Sequence, residues 1–486
     1  MIRKSLIWII LFLSVPCVPF AQGTFRDAYN EFKRQAQNNY EDFRRRVNQE
    51  YAEWMQQAWE WYGKIEPVAK PKDDMLPPII YNKEQEQPKP KPIPHEEVAP
   101  IPEPQPQPKP IAPIRENDGD YHIASFQFYG TNGDVRLPKG FNFKIKKKNE
   151  KGYAKAWEEL SSEEYDNLIR DCLVLRMEHQ LSDWAYLMML GELSNAICGK
   201  GSNEATMLQA YIFCQSGYKI RLGFTKDYDL RMLFKSEHII FDLDAFGLKD
   251  GIFYVLQPID GGGLNICDIS YPEEKPLSLW ISQEQKFAEK LSGERQLVPQ
   301  DSLIAIKSQI NENLLDFYNT YPTSIIGNDV LTKWAMYART PMSTKVKETL
   351  YPQLKAIISK ADNAAEAANW LLYWVQTAFV YEYDDVVWGH DRAFFAEESL
   401  YYPYCDCEDR SILFSHLVRD LLGLDVMLVY YPGHLATAVA FKTPVEGDYI
   451  ELNGKRFTIC DPTYIGAPIG ATMPEMDNKT AKVIVL

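Results

Sequence analysis

Proline placement constrains this chain more than any other feature. Of its 31 prolines, 15 fall between positions 66 and 115 of the 486 residues. Proline fixes φ and donates no backbone N–H, which excludes it from helix interiors and central strands. Runs such as Pro88-Lys89-Pro90-Lys91-Pro92 favour polyproline II. They predict a semi-rigid spacer over 66–118, rising about 3.1 Å per residue where extended. That spacer is expected to hold the N-terminal segment at a distance from the globular part. With 45% apolar and 24% charged residues, the chain is neither wholly disordered nor a polytopic membrane protein.

Arg3 and Lys4, an apolar run over 6–18 and Ala21 give the pattern of a signal peptide over 1–21. The run is shorter than the roughly 20 residues a bilayer span needs, and no later stretch qualifies. An exported protein, periplasmic or secreted, is expected. There are 52 Lys and Arg against 67 Asp and Glu. A net charge of -15 argues against a nucleic-acid partner. Beyond the signal stand Cys172, Cys198, Cys214, Cys267, Cys405, Cys407 and Cys460. This odd number is low for a disulfide scaffold and leaves at least one thiol unpaired.

Within 22–65, Tyr29 and Phe32 recur as Tyr40 and Phe43 and again as Tyr51 and Trp54, a period of eleven. The 4-3-4 spacing, about 3.67 residues per turn, predicts one amphipathic helix over 24–62. Its aromatic face is expected to pack on the protein itself or on a copy, or to dock an envelope partner. Downstream, helices are expected over 183–197, 204–215, 346–359 and 363–379. Strands are expected near 219–224, 238–241 and 252–256.

The residues that carry chemistry lie between 401 and 464. Cys407 precedes Glu408-Asp409-Arg410-Ser411 and an apolar-periodic run that stops at Gly423. This places its thiol at the N-terminus of a helix, where the macrodipole lowers thiol pKa. Asp406, Glu408 and Asp409 act the other way, so the thiol needs a cationic partner. His434 opens a strand and shares its face with Ala436, Ala438 and Ala440, which would leave room for a helix to approach. Asn453-Gly454 signals a hairpin that returns 456–461 alongside. Asp461, kept extended by Pro462, can orient the imidazole. Nucleophile, base and orienter together are the logic of triad catalysis. A competing reading groups Cys405, Cys407, His434 and Cys460 as a zinc site, though Cys-x-Cys is tighter than the usual spacing.

Cys405-Asp406-Cys407-Glu408-Asp409-Arg410-Ser411, Gly433-His434 and Cys460-Asp461-Pro462-Thr463 resemble the transglutaminase-like superfamily of papain-like cysteine enzymes. Glu398-Ser399-Leu400 resembles the lead-in of its bacterial exported peptidases. The resemblance covers about 346–470. It departs from the family pattern at Cys405, where glycine is usual, and at Ala436, where an aromatic is common. It implies an α+β fold with a papain-like core and Cys407/His434/Asp461 acyl transfer, with no cofactor and no metal. Gln376, Tyr381 and Trp388 are candidates for the second oxyanion donor beside the Cys407 amide.

The expected organisation is a signal peptide (1–21), an amphipathic helix (22–65) and a Pro-rich linker (66–118). A degenerate transglutaminase-like domain (119–270), a connecting region (271–345) and a catalytic domain (346–486) follow. In the degenerate copy, an ungapped overlay of Gly217 on Gly423 sets Gly201 at the place of Cys407. His238 echoes His434 only with an insertion, and Gln257-Pro258 stands where the other copy has Asp461-Pro462. The expected activity is hydrolysis of a peptide, protein or peptidoglycan-stem substrate. The alternative is a non-catalytic envelope scaffold with a relic triad.

Overall fold

The structure is a computed structural model. It describes residues 40–71, 75–82, 92–99, 105–299, 305–474, 476 and 481–486. The expected signal peptide and the first part of the aromatic-repeat helix lie outside these residues. No helix among them is long and apolar enough to cross a membrane.

The fold is mixed α+β, built on two barrel-like six-stranded sheets. The strands are β1 (Trp59–Gly63), β2 (His95–Ala99), β3 (Ile220–Phe224), β4 (Leu230–Phe234), β5 (Ala245–Leu248) and β6 (Gly251–Val255). They continue as β7 (Gly263–Cys267), β8 (Asp425–Tyr431), β9 (His434–Ala440), β10 (Tyr449–Leu452), β11 (Lys455–Cys460) and β12 (Ala481–Val485). The first sheet runs β5-β6-β4-β3-β7-β1 and the second β10-β11-β9-β8-β12-β2. Matched strand for strand, the two orders are the same. They differ at the last edge, where β1 is antiparallel to β7 but β2 is parallel to β12.

A pair of helices precedes the inner strands in each half. With α1 spanning 40–55, these are α2 (Asp183–Cys198) and α3 (Asn203–Gln215), then α4 (Ala364–Ala378) and α5 (Cys407–Leu422). In α5 every residue from Cys407 to Val418 is buried, because the helix lies between sheet and helix layers. One core fills the helix layer of both halves, holding Trp157 and Tyr211 as well as Trp334 and Phe414. Two further cores fill the barrels, around Phe246 and Phe253 in the first and Met427 and Ile459 in the second. Phe287, Phe317 and Trp334, all in the expected connecting region, are buried in the shared core.

Two expectations are corrected. The helix over 24–62 ends at 55, and Trp59–Gly63 is a strand on the first sheet. Trp59, Trp61 and their neighbours fit alternation as well as helical spacing, and pairing with β7 decides between them. The buried stripe of α1 also coincides with the expected aromatic one only at Val47 and Tyr51. It carries Arg44, Val47, Asn48, Tyr51, Ala52 and Met55, while Tyr40, Phe43 and Trp54 are exposed.

The described parts of the Pro-rich segment are not a spacer. Just before the segment, Ile65 bridges to Ala245 on the far edge strand and closes the first barrel. Ile93 donates to the Tyr449 carbonyl at 2.7 Å, and β2 then pairs with β12, closing the second. His95–Ala99 is a five-residue window without proline, and it sits on a sheet edge, where flanking prolines cost no ladder bond.

Candidate active site

Cys407 is the first residue of α5 and Asp406 is its N-cap. Asp406 Oδ1 accepts from the Glu408 and Asp409 amides at 3.1 and 3.4 Å, satisfying donors that a helix start leaves orphaned. The helix ends on Gly423, whose φ of 63° is left-handed and favours glycine. The buried Arg410 guanidinium, one turn into the helix, donates to the Gln376 and Phe379 carbonyls at 3.2 and 2.9 Å. This fixes α5 against the end of α4.

β9 brings in His434. The Leu435 amide donates to Cys407 Sγ at 3.4 Å. β11 pairs with β9 only from Thr437 onward, so this amide meets the thiol instead of a ladder partner. Ser411 Oγ donates to the Leu435 carbonyl at 2.8 Å, clamping helix to strand. His434 Nε2 lies 2.8 Å from Asp461 Oδ2. Asp461 Oδ1 accepts from the Thr463 and Tyr464 amides at 2.9 and 3.2 Å, which fixes the carboxylate. Gln376 Nε2 donates to the Asp461 carbonyl at 2.9 Å. His434 Nδ1 is buried with no hydrogen-bond partner among the described residues.

The alanine face meets the second barrel and not, as expected, a helix. Ala436 and Ala438 line the interior of the second barrel, while Leu435 and Val439 face the helix layer. Cys407 therefore approaches β9 at its backbone, not over the alanines. The zinc reading also fails. Among the described residues, Asp384, Asp391 and Glu408 are the one group of three metal-ligand types whose atoms lie within 4.8 Å of one another. His434 turns to Asp461, and the Cys460 thiol turns to its own strand, donating to the Thr458 carbonyl.

Of the three oxyanion candidates, the Gln376 amide is spent on backbone groups of 461, 466 and 467. Trp388 packs against Arg392, Phe394 and Tyr402. Tyr381 is held by parallel pairing of 380–381 with 404–405, and its hydroxyl donates to the Leu76 carbonyl at 3.3 Å. The Leu435 amide and the residues around Leu76 had no signal in the sequence, because backbone donors and distant crossings leave none.

Burial pushes the Cys407 thiol well above its ordinary pKa, and the charges of Asp406 and Glu408 push the same way. The Leu435 amide opposes them. Glu408, the next residue, forms a carboxylate group with Asp384 and Asp391, and the Lys333 ammonium lies 3.3 Å from Asp391. These carboxylates are the residues that could hold a cation.

Burial raises Glu397 and Glu398, both beside the site, to about 7. The folded chain then keeps their protons to higher pH than the unfolded chain does. Their contribution is fully present below the ordinary carboxyl range and is lost as pH rises toward 7. Glu397→Gln is expected to gain stability relative to wild type between about pH 5 and pH 8, by up to roughly 3 kcal/mol. Thermal melts of both proteins across that range check this, and parallel curves would refute it.

The first half repeats the construction with other residues at the three positions. The Leu230 amide donates to Asn203 Oδ1 at 2.9 Å, and Asn203 is the first residue of α3. Leu233 pairs with Val255 as Ala438 pairs with Ile459. This register sets Asp229 at the place of His434 and Gln257 at that of Asp461, and the Leu230 bond sets Asn203 at that of Cys407. Gly201 is thus not the counterpart of Cys407. His238 lies on a separate strand, paired with Ser324–Ile326.

No protein-family model, curated protein or solved structure matches this chain.

Proposed function

We propose that this protein is an exported cysteine acyl-transfer enzyme of the transglutaminase-like kind, with a papain-like core around α5, β8, β9 and β11. It acts on a peptide, protein or peptidoglycan-stem amide, and water is the acceptor. The observation that carries the reading is the divided role of the imidazole. Asp461 holds Nε2, while Nδ1 is left without a partner on the residue next to the thiol's own hydrogen bond.

The steps follow from that division. His434 Nδ1 takes the thiol proton as Cys407 Sγ bonds to the amide carbon. The carbonyl oxygen becomes an oxyanion facing the Cys407 amide and the Tyr381 hydroxyl. As it collapses, the C–N bond breaks and the Nδ1 proton passes to the leaving amine. Water then attacks the thioester, giving its proton to Nδ1. The C–S bond breaks, and that proton returns to the thiolate.

One observation favours the scaffold reading: Cys407 is wholly buried and its thiol is held neutral. Intact-mass spectrometry after acid quench, with peptide, amide and peptidoglycan-stem substrates, separates the two. An acyl adduct mapped to Cys407 and lost in Cys407→Ala is the expected result. Its absence across the panel would leave the scaffold.

A further inference from the structure

Residues 75–82, Met-Leu-Pro-Pro-Ile-Ile-Tyr-Asn, cross the candidate site in extended form. The Leu76 amide donates to the Gly433 carbonyl at 2.9 Å, immediately before His434. The Leu76 carbonyl accepts from the Tyr381 hydroxyl at 3.3 Å. Three residues on, the Ile465 amide donates to the Ile79 carbonyl and the Tyr81 amide to the Ile465 carbonyl, both at 2.9 Å. That pairing is parallel and lies four residues beyond Asp461. Tyr81 meets the Tyr464 ring edge-on at 5.4 Å. Met75 packs on the helix-layer core, whereas Leu76, Ile79 and Tyr81 pack on the second barrel. The segment therefore bridges the helix layer and the second barrel.

We infer that 75–82 is a built-in, substrate-like strap in the acyl-donor groove. The substrate is then an extended apolar peptide that takes the same backbone stations at Gly433 and Ile465. Its reacting carbonyl lies where Leu76 presents its own to Tyr381. This rests on the acyl-transfer reading for the word donor, but the occupancy itself rests on the hydrogen bonds alone. The strap is suited to exchange. Its apolar side chains are only half buried or, at Ile80, exposed. Pro77 and Pro78 have no N–H to add to a ladder. Few buried contacts and few backbone bonds place a segment at the low end of local stability.

The test is iodoacetamide labelling of the full chain at alkaline pH, where thiolate forms without help from His434, with peptide mapping. Leu76→Asp/Ile79→Asp places charge against an apolar core and should eject the strap, and Tyr81→Ala should loosen it. Labelling of Cys407 is expected to rise at least about tenfold in both. Cys172 and Cys214, buried in the other half, should stay slow and report that the fold is intact. Adding the free 75–82 peptide to the double variant should slow Cys407 again. Unchanged labelling in both folded variants would overturn the strap. Faster labelling without protection by the peptide would overturn its substrate-like fit. If acylation assays fail while labelling and protection behave as stated, the catalytic reading falls and the strap stands.

Discussion

Asp461→Asn is expected to slow acyl transfer to Cys407 by about 10³- to 10⁴-fold, as much as removing the imidazole with His434→Ala. The reason is a forced tautomer, not a lost contact. Asp461 Oδ1 accepts from two backbone amides, Thr463 and Tyr464, and an asparagine must turn its oxygen toward them. Its NH₂ then faces His434 Nε2 in place of the carboxylate oxygen at 2.8 Å. Nε2 becomes an acceptor, and the ring proton moves to Nδ1. The nitrogen that should take the thiol proton already carries one. Acetylation of Cys407 by para-nitrophenyl acetate, read by mass spectrometry, measures this without knowledge of the natural substrate. The strap-opened background gives the reagent access. Thermal melts should show Asp461→Asn folded. If it acylates within about threefold of its parent, Asp461 does not set the tautomer and the triad assignment is wrong.

The residues behind that prediction were legible because each sits at a local signal. Asp406-Cys407 precedes an apolar period that ends on Gly423, and the observed helix has those limits. Asn453 and Gly454 both take positive φ, 51° and 73°, as the hairpin signal requires. Caps, stops and tight turns depend on a few consecutive residues, so one sequence suffices. What depended on distant partners was not legible. The Pro-rich segment read as a spacer because proline composition is local, whereas its closing of the second barrel needs Tyr449. The His434 face was identified correctly by alternation, but not which layer it would meet. The first half was harder still. The counterparts of Cys407 and His434 are Asn203 and Asp229, and only the Leu230 bond and strand register show it. Gly217 and Gly423 mark the helix ends, but α3 is three residues shorter than α5, so an ungapped overlay slips at its start.

Charge burial is the other thing composition hides, and Arg221 is where it matters most. Its guanidinium is fully enclosed on β3. Nε reaches Asp268 at 3.1 Å, Nη1 reaches Glu274 at 2.9 Å and Nη2 reaches Asp250 at 3.0 Å. The Phe253 ring lies 4.9 Å from the guanidinium carbon. The Asp268 and Glu274 side chains are each 4% exposed, so water cannot replace the arginine. Arg221→Met keeps most of the volume and removes the charge. It strands two buried carboxylates and is expected to cost about 3–5 kcal/mol. Burial already raises the Glu274 pKa, and Arg221 is the leading influence holding it down. Without Arg221 the folded pKa rises further above the unfolded value, so the loss should grow as pH rises and shrink in acid. Arg221→Met/Asp268→Asn/Glu274→Gln removes the stranded charges and should recover part of the loss, because the three positions share one network. Urea unfolding of the three proteins at about pH 5 and pH 8 reads both effects. A single variant within about 1 kcal/mol of wild type at both values would mean that solvent reaches these carboxylates and that the first barrel does not depend on this arginine.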